Sequence, residues 1–99
     1  MKINFSQELE DIMTGGSMKY DNDRKATLAL VSIESLLSNY SDELKLSADK
    51  KLFRYDLANK VKNGGEVDLT VEEIVEIKDV INKRFGTLVT APAYKLLAV

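Results

Sequence analysis

The side chains with most to offer chemically are three cations, Lys50, Lys51 and Arg54, spaced within about one helical turn. Cations so grouped can hold a phosphate or a carboxylate, the guanidinium by two parallel hydrogen bonds. They mark a candidate binding site for a small anionic ligand or an acidic partner. The opposite charge lies downstream. Glu66, Asp68, Glu72, Glu73, Glu76 and Asp79 against Lys78 give residues 66–79 a charge of −5. Within them Glu66, Asp68, Glu72 and Glu76 form a candidate acidic partner patch, with Glu72 and Glu76 one turn apart on a face expected to be solvated. Residues 48–63 hold five cations and two acids, +3. The two segments can therefore pair, within one chain or between subunits.

Other patterns resolve into local structure. Ser47-Ala48-Asp49-Lys50 matches the S-x-x-K of serine acyltransfer sites. That chemistry needs a neutral lysine in a dry pocket, whereas Lys50 precedes Lys51 on a solvated face. Ser47 is expected to cap a helix instead. Asp21-Asn22-Asp23 opens like a calcium loop, but Ala26 and Ser32 stand where its glycine and bidentate glutamate belong, so a turn is expected. Neither Gly15-Gly16 nor Gly64-Gly65 has phosphate-loop spacing. The chain has no cysteine and no histidine, which excludes zinc fingers, thiol nucleophiles and Ser-His-Asp triads. A protein that is not an enzyme, with no metal and no cofactor, is the expectation.

The elements that must position these groups follow from periodicity and punctuation. With 99 residues, 44% hydrophobic and 30% charged, residues 1–99 are expected to form a single domain with its own core. No apolar run is long enough to cross a membrane and no signal peptide is recognisable, so a cytoplasmic location is expected. A net charge of −2 makes nucleic acid an unlikely partner. Residues 1–26 alternate weakly at Lys2–Ser6 and Met18–Tyr20 around Thr14-Gly15-Gly16-Ser17, which predicts an extended arm or β-hairpin. A wide apolar stripe predicts a helix over 27–40, with Ser32, Glu34, Ser35 and Ser38 between its apolar residues. Ser47 opens a second helix that Asn63-Gly64-Gly65 stops, with Phe53, Leu57 and Val61 inward and Leu52 and Ala58 beside them. Thr70-Val71-Glu72-Glu73 is a capping box, with Leu69 placed to staple onto Ile74, and this third helix ends at Gly86. Thr87–Val89 reads as an extended link, and Pro92 as the first turn of a last short helix. The fold class is mainly α, a small domain of three to four helices with an N-terminal extended arm or β-hairpin. The apolar surplus on the first helix and in Tyr94, Leu96, Leu97 and Val99 predicts a homo-oligomer, with Leu30, Ile33, Leu37, Tyr94 and Leu97 in the interface.

The C-terminal third, Glu66–Ile74, Ile77-Lys78, Phe85–Val89 and Pro92–Leu97, resembles small proteins encoded by tailed bacteriophages. In those chains a basic K-x-x-R-x-x-L-A-x-K helix, here Lys51, Arg54, Leu57, Ala58 and Lys60, precedes an L-T-x-E-E-I-x-x-I-K segment. The similarity covers residues 26–97 in outline and is densest over 66–97. It implies a phage origin, a compact, mainly helical fold and no particular catalytic residue. The function expected on that basis is a non-enzymatic interaction protein of the host cytoplasm. It would antagonise a host or anti-phage defence process by binding a protein or a signalling nucleotide. A virion assembly or minor structural role is the alternative.

Overall fold

The computed structural model describes residues 1–97, and the mainly helical fold expected from periodicity is the one observed. Among the described residues the helices are α1 Leu28–Leu36, α2 Ala48–Val61, α3 Val71–Arg84 and α4 Thr87–Leu97. A short 3-10 turn, Ser41–Glu43, lies between α1 and α2. α2 and α3 start where their caps predict, and α1 is capped as well, by Thr27. Thr27 Oγ1 accepts from the Leu30 amide, Ser47 Oγ from Lys50, and Thr70 Oγ1 from Glu73, whose carboxylate accepts from the Thr70 amide in return.

The core is laid out around α1, which packs against α2, α3 and α4. Leu28, Val31 and Leu36 meet Leu57 and Val61 of α2 and Ile77, Val80 and Ile81 of α3 in one buried cluster. Enclosure on several sides explains a departure from the expected pattern. Ser32 and Ser35, read as polar positions between apolar ones, are fully buried. Ser35 donates to the Val31 carbonyl, whereas Ser32 Oγ has no partner. Two serine hydroxyls bonded back to the preceding turn, Ser35 to Val31 and Ser38 to Glu34, accompany the early end of α1 at Leu36 rather than at residue 40. Tyr40 then turns back, its hydroxyl donating to the Ser35 carbonyl at 2.6 Å.

The N-terminal strand forms as expected but takes a different partner. β1, Lys2–Asn4, pairs antiparallel with β2, Glu66–Asp68, with Ile3 opposite Val67. The glycine turn before β2 makes this possible. Gly64 and Gly65 both lie at positive φ, and they present Gly65 O to the Phe5 amide at 2.8 Å and the Gly65 amide to Ser6 Oγ at 2.7 Å. The reversal at Gly15-Gly16 is present, with Glu10 and Ser17 in an isolated bridge. Met18, however, joins a closed ring of main-chain bonds: Leu9 N to Ala26 O, Ala26 N to Met18 O and Met18 N to Leu9 O, 2.8–2.9 Å each. All three side chains are buried, so hydrophobic burial outweighs simple strand alternation here.

The last helix also differs from expectation. Thr87–Val89 is helical, not an extended link, and Pro92 sits inside α4. The Val89 and Thr90 amides both bond Gly86 O, so helical bonding starts at Gly86. Val89, Ala93, Leu96 and Leu97 then face the core at helical spacing. Their burial offsets the hydrogen bond that proline removes. Leu97 is fully buried in the chain's own core, which corrects its assignment to an oligomer interface. Val99, counted with the apolar C-terminus, lies outside the described residues.

Candidate functional site

Arg54 stands at the centre of the polar architecture. It shares its helical face with Leu57, Ala58 and Val61 at i, i+3, i+4 and i+7, so the periodicity that buries those residues buries it too. Its side chain is 4% exposed. A guanidinium so placed must be satisfied, and two carboxylates do it. Nε donates to Glu76 Oε2 at 2.6 Å, while Nη1 and Nη2 donate to the two oxygens of Glu43 at 2.7 and 2.6 Å. Lys50 meets the other oxygen of Glu76 at 2.7 Å, and Lys83 meets Glu43 at 2.6 Å. The network joins the 3-10 turn, α2 and α3.

Electrostatics follow the geometry. Hydrogen bonds from Arg54 are the largest influence on Glu43, and against some loss of solvation they hold its carboxyl down to about 2, with Lys83 assisting. Burial pushes the Glu76 carboxyl up, but hydrogen bonds from Lys50 and Arg54 outweigh it and the net shift is downward. Arg54 is raised chiefly by its bonds to Glu43, as is Lys83.

The three cations expected to gather around an anion are therefore divided. Arg54 faces inward onto Glu43 and Glu76, Lys50 pairs with Glu76, and Lys51 alone is exposed without an ion pair among the described residues. The acidic patch disperses in the same way. Glu76 is buried, which corrects its placement on a solvated face with Glu72. Glu66, Asp68 and Glu72 are exposed, Asp68 bonding the Met1 amino group at 2.8 Å. The expected pairing of the +3 and −5 segments occurs within the chain, through Lys50–Glu76, Arg54–Glu76 and Lys60–Glu73. Ser47 is a cap, and Asp21 closes a turn by accepting from the Asp23 and Arg24 amides.

Sequence reasoning missed Glu43 and Lys83. The lone charged residue on the inner stripe of α2 was the available signal, since a buried arginine demands carboxylates.

Beside this network opens a cleft of about 440 Å³, between the end of α1, the 3-10 turn and α2. Glu43 and Arg54 line it together with Leu37, Tyr40, Leu44, Leu46, Lys51 and Tyr55. Leu44 is 89% exposed, and Leu37 and Tyr55 are more than half exposed. Of the other residues assigned to an oligomer interface, Leu30, Ile33 and Tyr94 are half-buried, Tyr94 donating to the Lys78 carbonyl at 2.8 Å. A second, more apolar groove of about 630 Å³ lies between Ile12 of the N-terminal segment and Leu88, Ala91, Pro92 and Leu96 of α4. No group of three or more acidic side chains among the described residues is placed to hold a metal ion, and no helix there is long and apolar enough to cross a membrane. The chain matches no protein-family model, no curated protein and no solved structure.

Proposed function

We propose that this chain is a non-enzymatic interaction protein, phage-encoded as its resemblance implies, that binds a host or defence protein through the cleft between α1 and α2. One observation carries the reading. Apolar side chains left out of the core, Leu37, Leu44 and Tyr55, border a single cleft with Lys51, while the ionisable groups beneath are neutralised by one another. Exposed aromatic and aliphatic anchors around a concavity suit a protein surface. A signalling nucleotide fits less well, because the exposed rim of the cleft is made of Leu37, Leu44 and Tyr55, with Lys51 the one exposed cation among them.

Photo-crosslinking tests the reading, with a benzophenone side chain at Leu44 and, as a control away from the cleft, at exposed Val75. A host protein labelled from position 44 but not from 75, and lost in Tyr55→Ala combined with Lys51→Glu, is the expected result. Equal labelling from both positions, or labelling that survives those substitutions, overturns it. A crosslinked product of twice the chain mass assigns the cleft to a homo-oligomer instead.

A further inference from the structure

The Arg54 guanidinium is fixed from one side. Nε donates to Glu76 of α3, whose other oxygen is taken by Lys50, so the plane of the group is set without any help from residue 43. Its outer edge is then aimed at Glu43: Nη1 to Oε1 at 2.7 Å and Nη2 to Oε2 at 2.6 Å. Lys83 of α3 brings a third donor to the same Oε2 at 2.6 Å. Three charge-assisted donors from α2 and α3, each packed against α1, thus converge on one carboxylate, the arrangement that recognises a planar anion.

The occupant is attached quite differently from the receptor. Glu43 ends a 3-10 turn with no buried residue, no residue of the connection 37–47 is buried, and of its apolar side chains Tyr40 is the one packed against the core. Arg54, by contrast, belongs to the buried set. Once another carboxylate takes over the bonds of Glu43, a segment with so few buried contacts opens at low free-energy cost, whereas helices sharing a core do not. The cleft is lined by Glu43 and Arg54, with Lys83 outside its lining, so a group seated there lies beside the pair and meets Lys83 only once Glu43 has moved away.

We propose that Arg54 and Lys83 form a carboxylate-binding site, filled by Glu43 in the free protein, and that an acidic side chain of the partner displaces Glu43 when it seats in the cleft. This rests on the cleft being the docking face. Exchange of one carboxylate for another conserves the charge-assisted hydrogen bonds and leaves no buried cation unpaired. Glu43 gains solvent as it leaves. The exchange then selects acidic partners, while the apolar rim supplies the binding surface.

Acetate alone is the probe, with thermal unfolding compared in acetate and in chloride at equal ionic strength. Glu43→Ala vacates the site, and acetate is expected to raise its Tm by about 4 °C or more. The wild-type protein, its site filled, and Glu43→Ala/Lys83→Met, its site broken, are expected to show no acetate-specific shift. Equal Tm values for Glu43→Ala in the two salts overturn the proposal, as does a wild-type shift of the same size. If Glu43→Ala does not fold in chloride, Glu43→Ser, whose short side chain also leaves the site open, is titrated with acetate and followed at the Arg54 Nη–H resonances, the donors that Glu43 occupies. A saturable shift there upholds the site, and its absence overturns it. Because no partner is needed, failure here removes the carboxylate site and leaves the cleft reading standing, whereas failure of the crosslinking removes the partner's part in the exchange and leaves the carboxylate site.

Discussion

Arg54 is buried between Glu43 and Glu76, and each of those acids keeps one lysine of its own, Lys83 and Lys50. Arg54→Met retains much of the side-chain volume but strands two carboxylates that have only partial compensation. Removing one member of a buried pair typically costs 3–5 kcal/mol, and the surviving lysines put this case near the lower end, at about 3 kcal/mol. Urea denaturation is expected to show that loss as a lower midpoint. Neutralising both acids as well, in Arg54→Met/Glu43→Gln/Glu76→Gln, is expected to recover part of it, because the charges left behind are the damage. A triple variant no more stable than the single one would mean that the arginine stem's packing matters, not its charge.

At the scale of elements, the N-terminal strand is tied to the rest of the chain through two glycines that are not equivalent. Both occupy the left-handed region, so alanine at either is strained. A Cβ on Gly65 meets open space, whereas one on Gly64 falls 2.6 Å from Ser6 Oγ. That hydroxyl is already engaged with the Gly65 amide, so it can move aside only by giving up the bond. Gly64→Ala is therefore expected to cost about 1 kcal/mol more than Gly65→Ala, the net worth of one hydrogen bond. In a Ser6→Ala background the difference is expected to vanish, which a double-mutant cycle measures. This region also shows what was legible in the sequence. Caps at Ser47 and Thr70 and the Gly64-Gly65 stop are local signals, carried by a few neighbouring residues, and they place the second and third helices well. The partner of β1 is a non-local fact: nothing in Lys2–Asn4 distinguishes Glu66–Asp68 from Met18–Tyr20, since alternation marks a strand but not its neighbour. Pro92 misled for a related reason. Proline favours a helix's first turn in isolation, and only the tertiary burial of Val89, Ala93 and Leu97 shows that this helix starts earlier. The site was half legible. Arg54 could be singled out from its spacing, but its real surroundings, Glu43 and Lys83, are 11 and 29 positions away, from 54 − 43 and 83 − 54.

For the whole molecule, the charges settle how stability responds to acid. The carboxyls of Asp21, Glu43, Asp68, Glu73 and Glu76 are all held below their ordinary range in the folded state. Each such group binds a proton more readily when the chain is unfolded. Its stabilisation is therefore complete above the unfolded value and disappears as pH falls toward the folded one. For Glu43 that window runs from 4.5 down to about 2. Without histidine, no side chain here has an ordinary pKa between about 5 and 8, so stability is expected to change little across that range. Below it the Tm is expected to fall steeply. Glu43→Gln isolates the largest contribution: the variant starts less stable at neutral pH, and its deficit relative to the wild-type protein narrows as pH drops through the Glu43 window. Thermal unfolding from neutral to strongly acidic pH reads both curves. A deficit that stays constant down to the lowest pH would mean that the Glu43 carboxylate is not held by Arg54 and Lys83 in solution. The connection between α1 and α2 would then have no electrostatic latch.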